Sequence, residues 1–68
     1  MDNELFMQFD GLSGTRDTER ILKRISKMPG VEFADIDPES GRLSLIGGDI
    51  DHYFVSDTIE AMGYPRVR

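Results

Sequence analysis

FDGLSGTRDTERILKRISKMPGV, residues 9–31, joins a strand end, a turn and an amphipathic helix in one run. Its hydrophobic pattern changes from the end of a strand to a helix within a few positions. Phe9 closes an alternating run. Gly11, Ser13, Gly14 and Thr15 then form a turn from two glycines and two hydroxyl residues. Ile21, Leu22, Ile25 and Met28 follow at helical spacing. Asp17 and Glu19 sit near the predicted helix start, opposing the positive end of its dipole. Lys23, Arg24 and Lys27 sit toward its other end, opposing the negative one. Pro29-Gly30 stops the helix.

Toward the amino terminus, ELFMQFD (4–10) alternates, with Leu5, Met7 and Phe9 on one face and Glu4, Phe6, Gln8 and Asp10 on the other. That is the pattern of a half-buried strand. On the other side, VEFADID (31–37) reads as a second strand, PESG (38–41) as a turn and RLSLIG (42–47) as a third strand. Gly47-Gly48 leads to Asp49 or Asp51, each a plausible N-cap. Tyr53 to Met62 is helical in character, with Val55, Ile59 and Met62 on one stripe and Gly63 suited to the position after the helix. YPRVR (64–68) predicts a short fourth strand, its Pro65 suited to an edge or a strand start. The order β-α-β-β-α-β predicts an α+β, ferredoxin-like single domain over residues 1–68: a four-stranded antiparallel sheet with both helices on one face. Leu5, Met7, Phe9, Ile21, Ile25, Ile36, Leu43, Leu45, Val55 and Ile59 are the expected core. The opposite sheet face is expected to be open and to carry Phe6 and Phe33, with Ile46 near them.

The 68 residues allow one modest core, which leaves little room for a deep enzyme cleft. No apolar run reaches membrane length and no signal-peptide pattern opens the chain. No direct membrane insertion and a cytoplasmic location are therefore expected. The lack of cysteine excludes disulfides and thiolate metal sites. Thirteen acidic against eight basic side chains argue against a general nucleic-acid binder. The charge is uneven. Residues 16–27 hold Arg16, Arg20, Lys23, Arg24 and Lys27 against Asp17 and Glu19, a local balance of +3, which leaves −8 on the rest of the chain. One basic helix is thus set on an acidic body.

Three segments in order, FDGLSGTRD, ILKRISKMPGV and TIEAMGY, resemble the heavy-metal-associated domain of copper chaperones and of the amino-terminal tails of metal-pumping P-type ATPases. The resemblance covers nearly all of residues 4–67. It places Gly11 and Leu12 at the Gly-Met of the family's Gly-Met-Thr-Cys-x-x-Cys loop, and it places the two family cysteines on Gly14 and Asp17. Glycine offers no side-chain ligand there, and Asp17 offers a hard oxygen that soft Cu(I) disfavours. The resemblance therefore implies a degenerate metal loop, with the fold and a docking surface retained. Tyr64 corresponds to the family tyrosine beside that loop; it also reads simply as a strand-start aromatic that closes the core.

Each candidate site has an ordinary alternative. Ser13, Gly14, Thr15 and Arg16 precede a helix and could hold a small anion. They read more simply as a helix-entry turn, capped by Ser13, Thr15 or Asp17, since capping turns are far commoner than anion sites and no P-loop lysine follows. Asp49, Asp51 and His52 bring two carboxylates and the sole histidine together and could take a divalent cation weakly. A strong zinc site wants about four ligands, and Asp at a helix start is commonplace. Met1, Met7, Met28 and Met62 carry sulfur that can bind Cu(I), but the last three fall on packing faces. Arg16, Arg20, Lys23, Arg24 and Lys27 share a helix side and, with Tyr64, form a candidate docking surface for an acidic protein partner or transporter domain. The alternative is a solvated helix face. No catalytic constellation is visible, and a non-enzyme without a resident cofactor is expected. The leading expectation is a docking or regulatory module in metal homeostasis.

Overall fold

The strands pair so that alternate residues build two apolar rows on a single sheet face. The computed structural model describes residues 3–67. Its elements are β1 (Asn3–Gln8), α1 (Thr18–Ile25), β2 (Val31–Ile36), β3 (Arg42–Gly47) and α2 (His52–Ala61). The sheet order is β1-β3-β2, with both pairings antiparallel. Met7 and Ile36 flank Leu43 in one row, and Leu5 and Ala34 flank Leu45 in the next. Ile21 and Ile25 from α1 and Val55 and Ile59 from α2 join these rows in one buried cluster. Both helices therefore cover the same face. Full burial of each such side chain stabilises by roughly 1.5–3 kcal/mol. Nine of the ten residues expected in the core are buried, and Leu5 packs partly buried against them.

The other face carries Phe6 and Phe33, both about half exposed. A register shift between Val31 and Phe33 bulges β2, yet Phe33 still points outward. The Arg42 guanidinium lies 4.8 Å from the centre of the Phe6 ring.

The ends of α2 follow their sequence signals. Asp51, not Asp49, caps α2, its carboxylate accepting from the Phe54 N–H at 3.1 Å. After α2 the Gly63 N–H bonds the Glu60 carbonyl and the Tyr64 N–H bonds the Ile59 carbonyl. This is the Schellman pattern, and Gly63 takes the left-handed φ of +104° that the pattern requires. α1 differs and ends at Ile25, short of the predicted stop. Ser26 turns its hydroxyl back onto the Lys23 carbonyl, and Lys27 and Met28 close tighter i→i+3 turns before Pro29.

The predicted fourth strand over residues 64–68 does not form among the described residues. One antiparallel bridge joins Phe9 and Arg66, supported by bonds from the Asp10 N–H to the Pro65 carbonyl and from the Val67 N–H to the Gln8 carbonyl, each 2.8 Å. Pro65 has no N–H to give a ladder, and the chain has only just left the turn at Gly63. The bridge still lies alongside β1, where a split βαβ topology puts its last strand. Met1 and Arg68, named in the sequence reading, lie outside the described residues. Among the described residues no helix is long and apolar enough to cross a membrane.

One close approach fixes the end of the sheet that faces away from the loop. A Cβ on Gly47 would overlap the Gly30 carbonyl oxygen, which also accepts the Gly48 N–H at 3.0 Å. Backbone on both sides leaves no flexible atom to yield. Gly47→Ala is expected to destabilise the fold by about 3 kcal/mol, the upper range for overpacking. A chain of this length has only roughly 3–10 kcal/mol in total, so urea unfolding followed by circular dichroism would show a large drop in midpoint.

Candidate functional site

The loop between β1 and α1 is anchored from below and held from the side. Leu12 at its centre is fully buried. Gly11 and Gly14 both take left-handed φ values, +87° and +75°. Tyr64 lies against Gly11, where a Cβ would meet its ring at 3.3 Å.

The Tyr64 hydroxyl reaches across 47 positions and donates to the Asp17 carboxylate at 2.6 Å. Thr15 Oγ1 lies 2.8 Å from the same hydroxyl and also accepts from the Asp17 N–H at 3.3 Å. Tyr64 has one proton, which goes to the carboxylate, so Thr15 is the donor in its contact with Tyr64. The result is a closed ring, Thr15 to Tyr64 to Asp17 and back, in which each bond polarises the next. Asp17 occupies the N-cap position of α1, yet its side chain makes no capping bond. Its remaining charged contact is Arg20 at 3.8 Å, an exposed pair of little energetic weight.

The other loop donors face the fold as well. Ser13 Oγ donates to the Glu39 carbonyl at 2.7 Å, and the Gly14 N–H donates to the Pro38 carbonyl at 3.1 Å. The Thr15 N–H bonds the Leu12 carbonyl at 3.4 Å. The loop thus leans on the turn between β2 and β3. In that turn the Glu39 N–H holds the Asp37 carboxyl below its usual value. Because that value is lowered by folding, the small help it gives is present above the ordinary carboxylate value and is lost as pH falls from there through the lowered one. Of the residues considered for an anion, Ser13, Gly14 and Thr15 have these donors engaged and Arg16 is exposed.

The remaining candidates are distributed as follows. Asp51 is committed to its cap, Asp49 takes a left-handed φ of +54°, and His52 is exposed at the start of α2. Among the described residues no three His, Cys, Asp or Glu side chains converge on a common point. Met7 is buried and accepts a weak bond from the Ser56 hydroxyl, while Met28 and Met62 pack partly buried on the core. Arg16, Arg20, Lys23, Arg24 and Lys27 are all exposed. The last four line one shallow groove of about 290 Å³ with no acidic side chain in its wall.

Sequence reasoning placed Asp17 and Tyr64 separately and missed that they bond. It also missed Leu12 and Ile50 as buried residues.

No protein-family model and no curated protein matches the sequence. Solved structures do. The chain is similar to a structure described as the CsoZ metallochaperone, at 20% identity and a TM-score of 0.87, covering 100% of both chains. It is similar to the CopZ metallochaperone at 24% identity and a TM-score of 0.85, over 96% of this chain and 100% of that one. It also matches the water-soluble region of the P-type ATPase CopA from Bacillus subtilis, at 26% identity and a TM-score of 0.82, over 98% of this chain and 46% of that one. The chain has the heavy-metal-associated fold. It carries that fold in a form without cysteine. In this heavy-metal-associated fold the two positions that the resemblance assigns to ligands are an open glycine and a carboxylate already bonded to Tyr64.

The ring makes a prediction of its own. Tyr64→Phe keeps the aromatic packing and removes one hydroxyl. Asp17 and Thr15 each lose a partner, at a cost of about 1–2 kcal/mol for a charge-assisted bond at a partly exposed site. Hydrogen exchange at the amides of Gly14 to Asp17 should quicken, while exchange in β3 should change only by the global loss of stability.

Proposed function

We propose that this chain is a docking module of a metal-homeostasis system that holds its loop by hydrogen bonds instead of by a metal. The observation that carries the proposal is the Thr15–Tyr64–Asp17 ring, which fills a position where the resemblance puts a metal ligand. A loop tied in this way is ordered before any partner arrives, so little ordering entropy is lost on binding.

The partner in this reading is a protein with an acidic face. Five cationic side chains lie on and around α1, and the body outside residues 16–27 carries −8. An acidic partner is attracted to one side of the molecule and repelled from the others, which selects orientation and speeds encounter. Kinship in fold with metallochaperones and with a P-type ATPase soluble region supports a setting in metal transport and a partner of that kind. It also fits a binding role in place of catalysis.

The experiment mixes the chelator-treated chain with soluble metal-binding domains of P-type ATPases from the same organism. Association is expected, fastest at low salt. Absence of association with every such domain, with or without metal, would dismiss the proposal.

A further inference from the structure

At the end of α1 remote from the loop, Arg24 and Lys27 form one wall of a groove floored by Met28, Pro29 and Phe54. The same three apolar residues floor an adjoining hollow whose wall holds Asp49 and Asp51. The patch therefore runs from a cationic end, across an apolar middle, to an acidic end. Phe54 in that middle is 52% exposed, although Val55 beside it is buried.

Such an order of charge is complementary to itself. A second copy turned by 180° about an axis through Phe54 sets its acidic end against the first copy's cationic end, and the match occurs twice. We propose that two copies of this chain pair through this patch. The two Phe54 rings meet near the axis, where offset packing favours them. A partner of one charge sign fits only one end and meets like charge at the other, which is why a second copy is the better occupant. The few residues involved fall well short of the roughly 800 Å² per partner of a standard interface. The net charge of −5 on each copy also opposes approach. Pairing is therefore weak, with a dissociation constant on the order of 1 mM. It leaves the loop, Arg16, Arg20 and Lys23 outside the patch but shares Arg24 and Lys27 with the docking face, so the Phe54 and Asp49 variants, which keep that face intact, separate the two roles.

Sedimentation equilibrium of the whole chain tests the pairing. The wild type should be largely monomeric at low concentration and about half dimeric near ~1 mM. Phe54→Asp and the milder Phe54→Ala should each weaken pairing, the former by at least about tenfold, the loss of roughly 1.4 kcal/mol. The double change Arg24→Glu with Lys27→Glu should do the same by setting acid against acid. Mixing that variant with Asp49→Lys should recover part of the pairing, because one contact in the mixed dimer again joins Asp49 and Asp51 to Arg24 and Lys27, and in the other only Asp51 still sets acid against acid. Circular dichroism checks that each variant is folded; all four substituted positions are exposed. A wild type that stays monomeric throughout overturns the inference. So does a mixture no better than its components. A dimer untouched by Phe54→Asp also overturns it, and would point to the Phe6–Phe33 sheet face.

Discussion

Replacing Gly14 and Asp17 together by cysteine is expected to raise Cu(I) affinity by at least about 1,000-fold, which corresponds to roughly 4 kcal/mol. Two thiolates separated by two residues offer the soft ligands that Cu(I) favours, whereas the natural chain offers one hard oxygen at these positions. The structure also says what the change costs. A Cβ at Gly14 meets no atom within 4 Å, so there is no steric clash. The backbone there has a φ of +75°, and an L side chain in that region costs about 1–2 kcal/mol. Removing the Asp17 carboxylate also breaks the bond from Tyr64. The metal-free double variant should therefore melt below the natural chain, and Cu(I) should raise its midpoint, because binding only the folded form stabilises it. An anaerobic competition titration reads the affinity, with each single variant as a control. Tight Cu(I) binding by the unaltered chain would defeat this expectation and turn attention to the methionines and His52.

Reversing Arg20 and Lys23 to glutamate is expected to slow association with an acidic partner by at least about tenfold at low salt, within the usual range of electrostatic steering. The change moves the groove wall by four charge units without touching a buried side chain. Folding should hardly respond. Arg20 loses only an exposed pair with Asp17, and Lys23 loses a favourable place near the end of the α1 dipole. In ~1 M salt the screening length falls to about 3 Å, and the two forms should associate at similar rates. Equal rates at low salt would remove the α1 face from the docking surface.

Much of the fold was legible because it is periodic. Leu5, Met7 and Phe9 repeat every second residue, and Ile21 and Ile25 repeat at helical spacing, so each set had to face one way. Leu12 and Ile50 were not legible for the same reason: they are buried from loops, where no period points inward. YPRVR looked like a full strand from composition, but a ladder needs N–H groups in series, and Pro65 interrupts the series. α1 ends at Ile25, before the proline that marks its end in the sequence, and there the Ser26 hydroxyl bonds the Lys23 carbonyl, a side-chain contact no periodicity reveals. In the loop, the Asp17 and Tyr64 positions could be singled out from sequence. The bond between them is purely tertiary, since nothing local relates residues 47 positions apart. The lack of cysteine was visible in the sequence; the Thr15–Tyr64–Asp17 ring in the loop was visible only in the structure.

The most direct test is an NMR titration of the 15N-labelled chain, stripped of metal and kept in chelator, against an acidic soluble domain of a P-type ATPase from the same organism. If the loop is held by Tyr64 and Asp17 and docks without metal, the amides of residues 13–17 should be sharp before any addition. The signals of residues 16–27 should then shift on titration, by the same amounts after Cu(I) or Zn(II) is supplied. Loop amides that sharpen only with metal, or shifts in residues 16–27 that wait for metal to be added, would contradict it.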